Sequence, residues 1–211
     1  MKSKMLLIKA LLMGAILLGG VGASAEPLKF QIDRSHANFG FDVHHFGYSR
    51  TVGRFNDFAG NLLIDEAQPA KSTIEVTVKT TSIDTNHKMR DDHLRSADFF
   101  NVEKYPTMTF KSVGITMMDE KRGKVAGDFT MLGVTKPVTL DFILTRDLPN
   151  PNPVNLSIRT LGFQAEGKIK RSDYGMTLYV GDPIGDEVNV SLYFDAIRCV
   201  GAAAKAPGCL Y

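Results

Sequence analysis

The sequence predicts an all-β fold, an antiparallel barrel with one short helical segment. Three observations carry this: strict apolar/polar alternation in several segments, turn chemistry between them, and a single stretch where the spacing becomes helical. In Thr73–Lys79, Ile74, Val76 and Val78 share one face while Thr73, Glu75, Thr77 and Lys79 share the other. Lys136 to Thr145 repeats the pattern with Val138, Leu140, Phe142 and Leu144. The last strand does so with Val188, Val190, Leu192, Phe194 and Ala196 alternating against Asn189, Ser191, Tyr193 and Asp195. One wet face per strand marks antiparallel pairing; a parallel sheet covered by helices has strands that are apolar on both sides.

Less regular strands are expected at Leu28 to Asp33, Ala37 to Phe46, Gly53 to Asp65, Thr107 to Thr116, Lys124 to Met131 and Leu156 to Lys170, about eight or nine in all. Asp119-Glu120-Lys121-Arg122-Gly123 and Gly133-Val134-Thr135-Lys136-Pro137 supply hairpin turns, with Pro137 expected to open the following strand. Pro149, Pro151 and Pro153, alternating with Asn150 and Asn152, mark an irregular loop. From Asn86 to Phe100 the alternation stops, and Met89, His93, Leu94, Ala97 and Phe100 fall at helical spacing. A short helix there needs an apolar surface to bury against, and the mouth of a barrel offers one, so it is expected to act as a lid.

The first 25 residues combine Lys2, Lys4 and Lys9 with an apolar run from Ala10 to Gly22 and the small residues Ala23-Ser24-Ala25, the pattern of a cleaved secretory signal. The run falls short of the ~20 residues that span a bilayer, and nothing later offers a second candidate. The expected organisation is therefore a signal over 1–25, one barrel domain over 26–198 and a tail over 199–211. The expected destination is the periplasm or beyond, with no transmembrane segment in the mature chain. The signal holds three lysines and no acid, so 22 basic residues remain against 23 acidic ones, a formal net of −1. The charges are interspersed, which argues against nucleic acid as a partner, since that needs a basic stripe to neutralise phosphates. Cys199 and Cys209 are the two cysteines, in a compartment that permits disulfides, and are expected to staple the tail to the last strand.

A sheet with one apolar face covers it by curling shut, which also removes its edges. With about eight strands the interior is either filled by side chains or holds one small ligand. Composition alone leaves these alternatives open. The inward candidates are Phe39, Phe41, Val43, Phe55, Val76, Val78, Phe110, Phe129, Leu140, Phe142 and Phe163, with Leu94, Phe99 and Phe100 on the lid. For a polar head group at the mouth, the candidates are His87, Arg90, His93 and Arg95 from the lid, joined by Lys170 and Arg171. Arginine suits a phosphate because its guanidinium donates in parallel. The plainer account makes Asp91, Asp92 and Arg95 a helix surface forming local ion pairs.

No metal site is expected. His44 and His45 are adjacent, which on a strand sends them to opposite faces, and His87 and His93 do not share a helical face. The chain lacks G-x-S-x-G, a phosphate-cradling glycine loop and a dinucleotide fingerprint, so neither catalysis nor a cofactor is expected.

Four segments, HANFGFDVHHFGYSRTVGRFNDFAGNL, TTSIDTNHKMRDDHLRSADFFNVEKYPTMTFKS, GDFTMLGVTKPVTLDF and LGFQAEGKIKRSDYGM, resemble in order the hallmark segments of the YceI family. That resemblance implies an extended, eight-stranded, lipocalin-like barrel enclosing a long isoprenoid or similar amphiphile, such as an isoprenoid quinone or a polyprenyl phosphate, usually in the periplasm. It implies no catalytic activity. The other readings are an enzyme acting on an amphiphile in the same pocket and a protein that pairs with itself, as a homodimer, or with a partner through an open strand edge. The tail from Cys199 to Tyr211 is not part of the resemblance.

Overall fold

A computed structural model describes residues 26–149 and 158–199. The expected signal (1–25), most of the proline-rich loop and Cys209 lie outside the described residues, so the expected Cys199–Cys209 pairing does as well.

Among the described residues the strands are β1 (Leu28–His45), β2 (Ser49–Phe55), β3 (Phe58–Ile64), β4 (Thr73–Lys79), β5 (Ile83–Asp84), β6 (Thr107–Met117), β7 (Arg122–Met131), β8 (Val134–Pro149), β9 (Arg159–Lys170) and β10 (Ile184–Ile197), with one α-helix, α1 (Lys88–Arg95), between β5 and β6. All ladders are antiparallel, and β1 pairs with β10 to close the sheet on itself. β2 and β3 lie end to end along one edge of β1, β2 against Phe39 to His45 and β3 against Leu28 to Gln31. β4 and β5 continue this arrangement, pairing with β3 and β2 respectively. The ten segments thus form an eight-stranded up-and-down barrel, because two of its long strands are each broken once.

Three strand boundaries differ from expectation. The two expected N-terminal strands are one, β1, which carries a bulge between Ile32 and Ala37 where it faces β10. The strand expected over Gly53 to Asp65 is split, because Asn56 and Asp57 leave the ladder where Asn56 N–H turns to Ser82 O (3.1 Å). Pro137 sits inside β8 opposite Asp128, since Leu132 (φ 52°) and Gly133 (φ 76°) form a two-residue turn that starts the strand earlier. Positive φ at both central positions is the type I′ geometry that matches the twist of a hairpin.

The helix is also shorter than expected. His87 caps it, its Nδ1 accepting from Arg90 N–H (3.2 Å), and the chain then turns so that Phe99 and Phe100 enter the barrel end. Met89, expected on the buried face, is 78% exposed. Asp91, expected at the surface, is buried and accepts from the Thr85 N–H (2.9 Å) and hydroxyl (2.5 Å). Asp92 does form the expected surface pairs, with Lys88 (2.6 Å) and Arg95 (3.2 Å).

The larger core group includes Phe30, Ile32, Phe39, Phe58, Leu62 and Phe194, where Phe39 stacks on Phe58 at 4.1 Å between centroids. A second group, Ile115, Val125, Leu140 and Ala165, lies farther from the helix. Between and around these groups the barrel is hollow.

Candidate functional site

A cavity of about 540 Å³ runs through the barrel, within the range of ligand pockets. Its wall includes Met108, near the start of β6, and Met117, at the end of that strand, so it follows roughly 30 Å of strand at ~3.3 Å per residue. Phe39, Phe41, Val43, Phe55, Val76, Val78, Phe110, Phe129, Leu140, Phe142 and Phe163 all line it. Leu94, Phe99 and Phe100 line it from the helix segment, with Phe100 edge-on to Phe55 (5.6 Å) and Phe99 edge-on to His93 (5.0 Å). The wall also takes in Ile115, Val125, Ala165, Val188, Val190, Leu192 and Phe194.

Glycines, which the alternation of apolar residues does not reveal, explain how so many phenylalanines leave room. Gly53, Gly123, Gly127 and Gly167 face the same side as these rings, and each is covered by a large side chain. A Cβ on Gly53 would lie 2.4 Å from Phe41 Cζ, one on Gly127 2.4 Å from Phe110 Cζ, one on Gly123 2.8 Å from Phe142 Cζ, and one on Gly167 2.4 Å from Leu140 Cδ2. Laid over a neighbouring strand's glycine, a ring lines the wall and leaves the axis open. Glycine at an inward strand position, one partner away from a phenylalanine, was the available signal.

The two ends differ in charge. At the α1 end the lining holds His45, Arg90, His93 and Arg171, and no carboxylate among the described residues. At the far end it holds Asp65, Glu66, Glu120 and Asp147, with Arg159 bridging Glu66 (2.6 Å) and Asp147 (2.5 Å).

Of the expected mouth residues, Arg90, His93 and Arg171 reach the cavity; His87, Arg95 and Lys170 do not. His87 and Arg95 border a separate polar groove with Asp84 and Asp92, and Arg95 donates to Thr81 O (2.8 Å) and Ile83 O (2.7 Å). Lys170 is exposed, because on β9 the inward positions are Phe163, Ala165 and Ile169 and Lys170 is out of phase with them. Arg171 is 3% exposed and donates to the carbonyls of Gly185 (2.9 Å), Met176 (3.2 Å), Leu178 (2.8 Å) and Ile184 (3.1 Å). Its first task is to fold the 171–184 loop over the barrel end; burial pulls its pKa down and the Asp186 charge opposes this. Arg90 is held by Thr85, through Nε to the hydroxyl and Nη2 to the carbonyl (both 2.7 Å), and His93 Nε2 lies 2.9 Å from Asp98.

Ser35, His36 and Asp33 sit together at the β1 bulge, outside the cavity lining. They are not a catalytic triad: Ser35 Oγ donates to Asp33 (2.6 Å), and Ser35 and Asp33 both meet the same ring nitrogen, Nδ1 of His36 (3.1 and 2.9 Å). Burial alone would raise the Asp33 carboxyl, but hydrogen bonds from Ser35 and His36 outweigh it and hold Asp33 below the ordinary value; the hydrogen bond to Asp33 holds His36 above its own.

The YceI-like domain family model matches residues 30–196, nearly the whole barrel. The chain belongs to the YceI family. Protein YceI of Escherichia coli is 41% identical over 177 residues, covering 83% of this chain and 90% of that protein. Among solved structures, the YceI protein of Campylobacter jejuni is 30% identical, with a TM-score of 0.65 over 73% of this chain and 88% of that one. A polyisoprenoid binding domain from Saccharophagus degradans, at 15% identity, shares the fold with a TM-score of 0.60, covering 81% of this chain and 99% of that one. Among the described residues no helix is long and apolar enough to cross a membrane.

Proposed function

We propose that this YceI protein is a periplasmic carrier that holds a long isoprenoid-type amphiphile in the barrel, tail along the axis and head at the α1 end. The observation that carries this reading is the continuous apolar cavity, in which Phe41, Phe110 and Phe142 lie against the wall over inward glycines. An unfunctionalised tail needs only such a wall, which stabilises it by roughly 25 cal/mol per Å² of apolar surface removed from water. Membership of the YceI family and the shared fold of the Saccharophagus polyisoprenoid binding domain support an isoprenoid as the tail.

The charge asymmetry supports the orientation. Four carboxylates against the single guanidinium of Arg159 leave the far-end lining net negative, which disfavours an anionic or electron-rich head there, while Arg90 and His93 at the α1 end favour it. The N-terminal signal pattern supports export, and a Cys199–Cys209 staple would suit the same compartment.

Native mass spectrometry of protein purified from the periplasm, followed by extraction of any bound lipid, tests the proposal. The expected result is an intact isoprenoid lipid that is lost in an Ala165→Trp variant, whose indole blocks the middle of the cavity. An empty protein that takes up no polyprenyl phosphate or quinone on incubation overturns it, and conversion of the bound lipid would make the protein an enzyme instead.

A further inference from the structure

We propose that the α1 end of the barrel docks on a lipid bilayer through a rim of exposed aromatic and apolar side chains, holding the cavity mouth against the membrane. The proposal rests on the lipid-carrier reading. Three separate segments supply the rim. The turn after β1 presents Phe46 (53% exposed) and Tyr48 (92%), the loop before β10 presents Tyr179 (52%) and Val180 (38%), and α1 presents Met89 (78%). The opposite end also exposes apolar side chains, Met117, Met118 and Leu148 among them, but at that end the cavity lining carries carboxylates.

The rim is held in place. Phe46 N–H donates to Pro183 O (3.0 Å), joining the turn to the loop, and Ile184 N–H donates to Tyr179 O (3.1 Å). Arg171 grips the same loop from beneath through Leu178 O and Ile184 O. Phe46 (φ 48°) and Tyr179 (φ 56°) both occupy the left-handed region, which L side chains avoid, so the fold keeps two aromatic residues projecting at a conformational cost.

Three features favour a bilayer over a protein groove. The rim is continuous with the cavity, since Tyr179 and its hydrogen-bond partner Ile184, the first residue of β10, also line it. Its parts are projecting tips, which a deformable interface accommodates, and tyrosine places an apolar ring and a polar hydroxyl at headgroup depth. The four carboxylates lining the cavity lie at the opposite end, so only this orientation keeps them away from phospholipid phosphates. The rim's own charges are mixed, with Arg50 paired to Asp42 and Lys88 to Asp92, so insertion of side chains, and not net charge, is the driving force.

The test is flotation of the mature chain with vesicles of phosphatidylethanolamine and phosphatidylglycerol, at physiological and high salt. The wild type should float under both conditions, and a Phe46→Asn, Tyr48→Ser variant should bind about tenfold more weakly. Asparagine tolerates the left-handed backbone at position 46, and neither residue lines the cavity, so uptake of an apolar fluorophore should be unchanged. Failure of the wild type to float, equal flotation of the variant, or a rim-dependent dimer in light scattering would each overturn docking. Rim-dependent flotation by a protein that takes up no lipid would uphold docking while removing the carrier reading.

Discussion

Phe41 of β1 lies over Gly53, its cross-strand partner on β2, so closely that a Cβ there would come within 2.4 Å of the ring. The other nearby atom is also a side chain, Thr85 Cγ2 at 2.8 Å. Gly53→Ala should therefore push the ring toward the axis at a cost of about 1–3 kcal/mol, the usual range for overpacking. Combining it with Phe41→Leu should recover much of that loss. A double-mutant cycle by urea denaturation checks the coupling; additive costs would mean that ring and glycine do not share space.

Arg171 satisfies four backbone carbonyls with one planar fork. Lysine cannot reproduce that geometry, so Arg171→Lys should cost about 2–3 kcal/mol and speed amide hydrogen exchange in the 171–184 loop more than in β6 or β7. Uniform exchange across the barrel would contradict a local clamp.

Asp91 anchors the helix segment through Thr85. Asp91→Ala leaves a buried N–H and hydroxyl without their acceptor, so stability should fall by about 1–3 kcal/mol. Because Leu94, Phe99 and Phe100 belong to the same segment, a bound apolar fluorophore should also dissociate faster. An unchanged off-rate would show that this segment does not gate the cavity.

His36 and Asp33 give a pH dependence with a definite sign. His36 is raised by its hydrogen bond to Asp33, so its contribution is complete below about 6.5 and is lost as pH rises through its higher folded-state value. Asp33 is lowered, so its contribution is present above about 3.8 and is lost as pH falls through its depressed value. Between those limits the pair stabilises the β1 bulge. NMR titration of the His36 ring should give a value above that of a free histidine, and Asp33→Asn should bring it down. The same titration curve in both proteins would break the assignment.

The alternation that exposed the fold in the sequence also exposed the cavity wall, because in a closed antiparallel sheet the buried face of every strand is the inner face. Ile74, Val76 and Val78 show this directly: the period that identifies β4 also says which side chains line the barrel. Hollowness was harder to see, since a phenylalanine filling a core and one lying against a wall leave the same periodic trace. The difference is in partners such as Gly53 and Gly127, and pairing register is not local information. The polar candidates were least legible for a related reason. Lys170 and Arg171 are adjacent, yet one faces solvent and the other is buried among carbonyls, because β9 ends at Lys170 and the chain turns there. His87 and Asp91 likewise took their roles from the cap and the loop before α1, which helical spacing does not describe.

Among the described residues, the ladder between β1 and β10 joins the first strand to the last, and no other pairing closes the ring. Seven of the eight walls can assemble in order along the chain, each on its predecessor, but the enclosure waits for Ile184–Ile197. Loop-closure entropy places that event late in folding. A chain truncated before β10 would have an apolar inner face and no chamber, and would be exposed to aggregation.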